Sequence, residues 1–229
     1  MKTLAFLLSL FAAGAGPAFA STLADWTFET TTPASAGPFA PEIGSGAARG
    51  SHAGAAVYSS PAGNGSSHSF SSTLWAVGDY YQFQVSTVGF SDLNISWDQT
   101  SSNTGPRDFK LLYSVDGATF TQFTTYSVLA NASPNNVWSS GTPHPEFGFS
   151  YDLSSLPVLD NQSAVYFRLQ DVDTVSANGG TVGTAGTDRV DNFIVTADVI
   201  PEPSAYALAA GLGCLACALW RRRAAIGAV

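Results

Sequence analysis

Side chains suited to catalysis are few and scattered in this 229-residue chain. The three histidines, His52, His68 and His144, lie in different segments rich in glycine or proline, and none has metal-ligand spacing to another. The chain contains neither a G-x-S-x-G nor an H-E-x-x-H motif. Two carboxylates could still meet in a cleft as acid and base, but no spacing selects a pair. The pattern therefore predicts a protein that is not an enzyme and leaves carboxylate-based catalysis as the alternative.

Aromatic rings are the other candidates for chemistry, because a flat ring can stack on the apolar face of a sugar. Trp97 alternates with Leu93 and Ile95 along one run, which predicts a position in the core. Trp138 lies in the polar segment 134–140 and is the better candidate for ligand binding. Burial, the usual state of an aromatic side chain, is the alternative for Trp138.

The charge balance argues against a nucleic-acid partner. The chain has 17 acidic and 9 basic residues. Without Glu202, Lys2 and the C-terminal cluster 221–223, residues 21–199 keep 16 acidic and 5 basic residues. Binding to nucleic acid requires clustered lysine and arginine. The acidic middle of the chain instead favours solubility outside the cell and a requirement for cations.

The first 20 residues are typical of a secretory signal peptide. Lys2 supplies the positive start, residues 4–14 form an apolar stretch, and Ala18 and Ala20 flank Phe19 in a small-x-small cleavage site. A short membrane anchor is the alternative, but the apolar run is short and the cleavage site is well placed. We therefore predict export, with cleavage after Ala20.

A second targeting segment lies near the C-terminus, in residues 200–223. It consists of the Pro201-Glu202-Pro203 motif, sixteen uncharged residues from Ala205 to Trp220, and the cluster of Arg221, Arg222 and Arg223. A helix of that length rises about 24 Å, slightly less than the ~30 Å hydrocarbon core of a bilayer. The arginines favour a cytoplasmic tail at 224–229 and place the middle of the chain outside. The segment predicts membrane insertion through residues 205–220, and a permanent single-pass anchor is the alternative.

The order of these three features resembles the PEP-CTERM sorting signal of Gram-negative bacteria. The resemblance covers only the C-terminal segment. It implies processing near the Pro-Glu-Pro motif by an exosortase, a membrane cysteine protease. It also implies a place at the cell surface or in the extracellular matrix, because bearers of the signal are mostly surface proteins of species that make exopolysaccharide.

Residues 21–199 predict a single all-β domain, an antiparallel β-sandwich of the jelly-roll type. Five runs alternate apolar and polar residues with the period of two expected of half-buried strands. Their apolar members are Tyr81, Phe83 and Val85; Leu93, Ile95 and Trp97; Phe109, Leu111, Tyr113 and Val115; Val165, Phe167 and Leu169; and Phe193, Val195 and Ala197. Asp116-Gly117 predicts a hairpin turn. Residues 33–65, rich in small residues and proline, predict long loops with one strand near residues 55–59.

Four short segments of this domain are similar to jelly-roll modules of the galactose-binding or carbohydrate-binding type. They are Trp26–Glu29, Ser102–Pro106, Tyr113–Gly117 and Arg189–Val195. In such modules a structural calcium ion often bridges the first and last strands. The resemblance implies Glu29 and Asp191 as ligands, with Asp25 as a further candidate, and Ca²⁺ prefers such oxygen ligands. The alternative is that these are ordinary turn residues.

These observations predict an exported, non-catalytic protein with a structural or carbohydrate-binding role in an exopolysaccharide-associated layer. The expected partners are signal peptidase and an exosortase-type protease during export, and then exopolysaccharide. The expected cofactor is structural Ca²⁺. The alternatives are a secreted polysaccharide-active hydrolase or lyase and a protein-binding adhesin.

Overall fold

The alternating runs form the strands of two sheets. A computed structural model describes residues 20–201 and 210–219 of the chain. Its strands are β1 (Ala20–Trp26), β2 (Ile43–Gly44), β3 (Gly46–Ser51), β4 (Tyr58–Ser59), β5 (Phe70–Thr73), β6 (Tyr80–Val85), β7 (Phe90–Ser101), β8 (Asp108–Ser114), β9 (Thr121–Ser127), β10 (Leu129–Ala130), β11 (Gly148–Asp152), β12 (Val165–Asp171) and β13 (Thr187–Val199). Four of the five predicted runs lie entirely within one long strand, β6, β7, β12 or β13. The fifth lies in β8 except for Val115, which follows the last residue of that strand and is exposed.

The two sheets pack face to face. The larger sheet has eight strands, with the order β10-β7-β13-β1-β2; β11 also pairs with β7, and β5 joins β13 to β4. The smaller sheet has five strands in the order β3-β6-β12-β8-β9. Every pairing is antiparallel except the short one between β10 and β7. The predicted all-β antiparallel sandwich is confirmed, whereas the jelly-roll connectivity stays a prediction.

Aromatic side chains join the two sheets at the centre of the core. Phe83 of the smaller sheet stacks on Phe193 of the larger one, with ring centroids 3.7 Å apart and an interplanar angle of 1°. The Trp26 ring lies edge-on to both, at 5.3 Å from Phe83 and 6.0 Å from Phe193. All three side chains are buried. Each edge-on contact of Trp26 adds about 0.5–1.5 kcal/mol to the free energy gained from burial.

A buried hydrogen-bond network crosses the same interior. Asp188 accepts hydrogen bonds from Gln99 Nε2 at 3.0 Å and from Ser101 Oγ at 2.9 Å. Gln99 Oε1 in turn accepts from Trp97 Nε1 at 3.0 Å and from the Tyr126 hydroxyl at 2.8 Å. Burial raises the pKa of Asp188 well above its usual value. Because its members come from β7, β9 and β13, the network links both sheets.

One part of the sequence prediction is wrong. Residues 46–51 were expected in a loop but form β3, the edge strand of the smaller sheet. Ala48 lies opposite Phe83 and is buried, so a small residue suffices for the core position. Gly50 leaves room for the Tyr58 ring, which a Cβ at that position would strike. The strand forms because β6 supplies both hydrogen bonds and apolar surface, neither of which is visible in the local sequence.

The chain divides into a compact unit, Ala20–Val199, and a second unit made of the chain ends. In the second unit the structure describes a helix at residues 210–219. No helix within the described residues is long and apolar enough to cross a membrane. Ala18 and half of the proposed sorting segment, including Glu202, Pro203 and Arg221 to Arg223, lie outside the described residues.

The first prediction concerns the contact between the sheets. Replacing Phe193 by alanine should lower the free energy of unfolding by about 3–5 kcal/mol, because it leaves a cavity under Phe83 and Trp26. Denaturant unfolding followed by tryptophan fluorescence measures the change. The matched control on the same strand is Val199→Ala. Val199 is 48% exposed, so its replacement should cost less than about 0.5 kcal/mol. Equal effects of the two changes would contradict the central role of Phe193.

Candidate functional site

The smaller sheet presents a polar, aromatic and basic surface on the side away from the core. In β6 and β12 every second residue is buried, so the residues between them point outward. Cross-strand pairing places Arg49 opposite Gln82, and Gln82 opposite Arg168. We call this surface the outer face; it consists of Arg49, Tyr80, Gln82, Gln84, Lys110, Tyr166, Arg168 and Gln170.

Arg168 occupies the middle of the outer face and is held in one position. Its guanidinium carbon lies 4.0 Å from the centroid of the Tyr80 ring and 3.5 Å from that of the Phe120 ring. Its Nε donates a hydrogen bond to Gln82 Oε1 at 2.8 Å. Partial burial lowers the pKa of Arg168 from its usual value, and a guanidinium still stays charged at neutral pH. The two terminal NH₂ groups have no hydrogen-bond acceptor among the described residues, so they are available to a ligand.

The turn between β8 and β9 forms one wall of this site. Asp116 Oδ1 accepts hydrogen bonds from the backbone N–H groups of Ala118 and Thr119, both at 2.8 Å, and Gly117 has a φ of 71°. The predicted hairpin at Asp116-Gly117 is therefore confirmed. Gly117 packs against Tyr166, since a Cβ there would lie 3.0 Å from the ring. Phe120 extends from the same turn over Arg168, so the turn helps to place both side chains.

A cleft of about 400 Å³ lies on the outward side of the larger sheet. Its lining includes Ser96, Asp98, Asn192 and Ile194, and Asp98 is the one ionisable residue in that lining. Asp98 Oδ2 accepts a hydrogen bond from Asn192 Nδ2 at 2.9 Å, and burial raises the pKa of Asp98 from its usual value. A single carboxylate does not form the acid–base pair that glycoside hydrolysis commonly uses.

The two expected calcium ligands bind one loop. Asp191 Oδ2 accepts hydrogen bonds from Asn64 N at 3.0 Å and Ser66 Oγ at 2.6 Å, and burial raises the pKa of Asp191 to about 7. Glu29 Oε1 accepts a hydrogen bond from His68 N at 2.8 Å. Within residues 20–201 and 210–219, no group of three or more His, Cys, Asp or Glu side chains is arranged to hold a metal ion. The calcium site at Glu29 and Asp191 stays a prediction.

Asp25, the further candidate, lies apart from these hydrogen bonds. Its Oδ1 is buried without a hydrogen-bond partner among the described residues. Burial and the nearby Glu42 carboxylate raise the pKa of Asp25 from its usual value. Glu42 itself accepts a hydrogen bond from Thr27 N at 3.0 Å. The structure therefore shows no contact that connects Asp25 to Glu29 or Asp191.

Trp138 does not offer an open ring. Its side chain is 4% exposed and lies edge-on to Phe147, with ring centroids 5.9 Å apart. Its backbone N–H donates to Asn131 Oδ1 at 2.7 Å, which fixes the segment over the ring. The exposure that made Trp138 a candidate for ligand binding is therefore absent. The polar residues next to Trp138 in the sequence predicted an exposed ring, but the ring itself is buried.

Sequence reasoning missed a buried cluster of Asp79, His52 and Ser72. His52 Nδ1 lies 2.9 Å from Asp79 Oδ2, and His52 Nε2 lies 3.1 Å from Ser72 Oγ. These distances match those between acid, base and nucleophile in serine hydrolases. However, Ser72 is 0% exposed and its hydroxyl also lies 3.1 Å from the Tyr81 hydroxyl. Since no substrate carbonyl can reach Ser72, the cluster has a structural role.

No local signal could have revealed that cluster. His52 follows β3 and is 20 residues from Ser72, and the pairing of β3 with β6 brings it next to Asp79, just before β6. Burial lowers the pKa of His52 from its usual value, despite the nearby Asp79. The histidine therefore stays neutral at neutral pH and can hydrogen-bond through both ring nitrogens.

No family model matches the chain, and no curated protein sequence matches it. Several solved structures resemble it in part, among them the following three. The K2 cleaved adhesin domain of Lys-gingipain is 14% identical, covers 78% of this chain and 99% of its own, and has a TM-score of 0.45. The CBM22-1–GH10 modules of Clostridium thermocellum xylanase 10B, complexed with xylohexaose, are 12% identical over 77% of this chain and 28% of theirs, with a TM-score of 0.44. TmCBM61, complexed with β-1,4-galactotriose, is 8% identical, covers 74% of this chain and 92% of its own, and has a TM-score of 0.37. At TM-scores below 0.5, these similarities assign neither a family nor an activity.

The second prediction tests the structural role of the buried cluster. A fluorophosphonate probe, which labels accessible activated serines, should not modify the folded chain, because Ser72 is fully buried. Mass spectrometry of the treated protein measures the modification, with a known serine hydrolase as the positive control. Labelling that disappears in a Ser72→Ala variant would show that Ser72 is a reactive nucleophile after all.

Proposed function

We propose that this chain is a non-catalytic, carbohydrate-binding protein of the cell surface or extracellular matrix, in an exopolysaccharide-associated layer. The observation that carries the proposal is the site around Arg168 on the outer face. Tyr80 and Phe120 are half-buried, and each covers Arg168 with one ring face, so the opposite face can stack on a sugar. Gln170 lies opposite Tyr80 and Gln84 lies opposite Tyr166, and both supply amides for hydroxyl groups.

The rigidity of this site supports binding. The guanidinium of Arg168 is fixed by two rings and one hydrogen bond, so little side-chain freedom is lost when a ligand binds. The residues lie on strands of a packed sheet, which hold side chains more precisely than loops do. The support for catalysis is weaker than the support for binding. The cleft contains the single carboxylate Asp98, and Ser72 of the buried cluster is fully buried.

Two further parts of the proposal extend the same function. The Pro201-Glu202-Pro203 motif and the clustered Arg221, Arg222 and Arg223 support sorting by an exosortase-type protease after removal of a signal peptide. A structural Ca²⁺ at Glu29 and Asp191 would secure the loop that both carboxylates already hold.

The third prediction tests carbohydrate binding. The purified chain is incubated with immobilised exopolysaccharide in Ca²⁺ or EDTA, and bound protein and released reducing ends are measured in the same samples. We expect saturable binding without product. Tyr80→Ala and Phe120→Ala should each weaken binding by about 2–10-fold, the equivalent of about 0.5–1.5 kcal/mol for one aromatic contact. Ile43→Ala, at an exposed position on the larger sheet, should leave binding unchanged.

Each other outcome of this experiment contradicts a stated part. Released reducing ends would show a polysaccharide-active enzyme. Binding to cells stripped of polysaccharide, without binding to the polysaccharide itself, would show a protein-binding adhesin. Full binding by both aromatic variants would exclude the outer face. Equal binding and equal thermal stability in Ca²⁺ and EDTA would exclude the calcium site, because a ligand at 100 times its Kd stabilises a protein by about 2.7 kcal/mol.

The fourth prediction tests the sorting segment. In a bacterium that has an exosortase, the full chain should lose its C-terminal segment and leave the inner membrane. In a strain without the exosortase, the unprocessed chain should stay in the membrane fraction. A chain truncated after Val199 is the control and should be exported in both strains. Identical processing of the full chain in both strains would exclude an exosortase as its protease.

A further inference from the structure

The basic residues of the compact unit are concentrated on the outer face. Residues 20–199 contain five of them, against 16 acidic residues. Arg49, Lys110 and Arg168 belong to the outer face. The other two are engaged elsewhere: Arg107 forms an ion pair with Asp108 at 2.7 Å, and Arg189 NH1 donates to a backbone oxygen on the larger sheet's side at 3.4 Å. A strongly acidic domain therefore has one surface where positive charge prevails.

The three cations have a defined spacing. Arg49 and Arg168 flank Gln82 on adjacent strands, so their Cα atoms are two strand spacings, or about 10 Å, apart. Lys110 lies opposite Gln170, two residues along the strand from Arg168. Neither Arg49 nor Lys110 forms an ion pair within the described part of the chain. The three cations are therefore spread over an area larger than a single small anion would contact.

Little free negative charge lies on this surface. Asp108 lies on the same side of β8 as Lys110, two residues away, and Asp116 lies in the turn between β8 and β9. Both carboxylates are already engaged. Asp108 accepts hydrogen bonds from Arg107, and Asp116 accepts them from the backbone of its own turn. By contrast, Asp98 and Asp191 lie on the strands of the larger sheet.

We propose that the outer face selects an acidic polysaccharide, one whose sugars carry carboxylate or sulfate groups. Arg168 contacts an acidic group in the centre, and Arg49 and Lys110 contact groups on either side. The planar fork of a guanidinium fits both carboxylate and sulfate oxygens. The aromatic rings beside Arg168 contact the sugar itself. This inference rests on the proposed carbohydrate-binding function and names its class of ligand.

A nucleic acid is the less suitable polyanion. Its affinity depends on many phosphate contacts from clustered lysine and arginine. Here three cations are spread over three strands, whereas duplex DNA carries one charge for about every 1.7 Å of its axis. A polysaccharide has more widely spaced charges and sugar faces that can stack on Tyr80 and Phe120.

The fifth prediction compares polymers that share a backbone and differ in charge. The full chain is titrated with polygalacturonate and its methyl ester, and with dextran sulfate and dextran, at several salt concentrations. We expect at least tenfold tighter binding to one acidic polymer than to its neutral partner, and weaker binding as salt increases. The pair that shows the difference identifies carboxylate or sulfate as the recognised group.

Two single variants separate the site from overall charge. Arg49→Gln should weaken binding to the acidic polymer at least fivefold, whereas Ile43→Glu changes the net charge by the same one unit at an exposed position on the larger sheet and should have no effect. Both side chains are exposed or half-buried, so the fold should persist. Equal effects of the two variants would overturn the inference. So would equal affinity for acidic and neutral polymers, or equally tight binding to duplex DNA. Any of these three outcomes would still leave binding to a carbohydrate or another polyanion in place. Binding to no polymer, including exopolysaccharide, would overturn the proposed function as well.

Discussion

The stacking of Phe83 on Phe193 between the two sheets is the contact on which the rest of the structure depends. Side chains alternate along a strand, so a core position for Phe83 directs Gln82 and Gln84 outward. The pairing of β6 with β12 then places Arg168 opposite Gln82 on the same side. A shift of one residue in this register would bury the cation and expose the aromatic ring. The same strand register therefore fixes both the packing of the core and the composition of the outer face.

Polar groups inside the sandwich follow a different rule from those outside. Asp188 and Gln99 are buried, and each finds hydrogen-bond partners within the network that links the sheets. A buried polar group without partners would cost about 1–3 kcal/mol, so such a network strongly restricts how the two sheets can pack. Arg168, in contrast, keeps its terminal nitrogens free while its position is fixed by rings. Asp188 and Gln99 therefore use their polar atoms to hold the sheets together, whereas Arg168 leaves some for a ligand.

The long strands could be predicted because their pattern is local. Each of β6, β7 and β12 repeats an apolar residue at every second position, which is sufficient to identify a half-buried strand. The strand β3 could not be predicted, since its small residues acquire a core position only from the neighbouring β6. Trp138 was misjudged for a related reason. Polar neighbours along the chain do not report whether Phe147 and the loop cover the ring.

By itself, the sequence determined the class of the fold, the acidic character of the domain and the two terminal segments that predict export and sorting. All three follow from composition and short-range order. Only the tertiary structure decided which residues meet. It gathered Arg49, Lys110 and Arg168, which are far apart in the chain, on one face, and it buried the Asp79–His52–Ser72 cluster out of reach of substrates. The physical reason is that sheet register sets such neighbours through long-range strand pairing, which no local pattern of residues encodes.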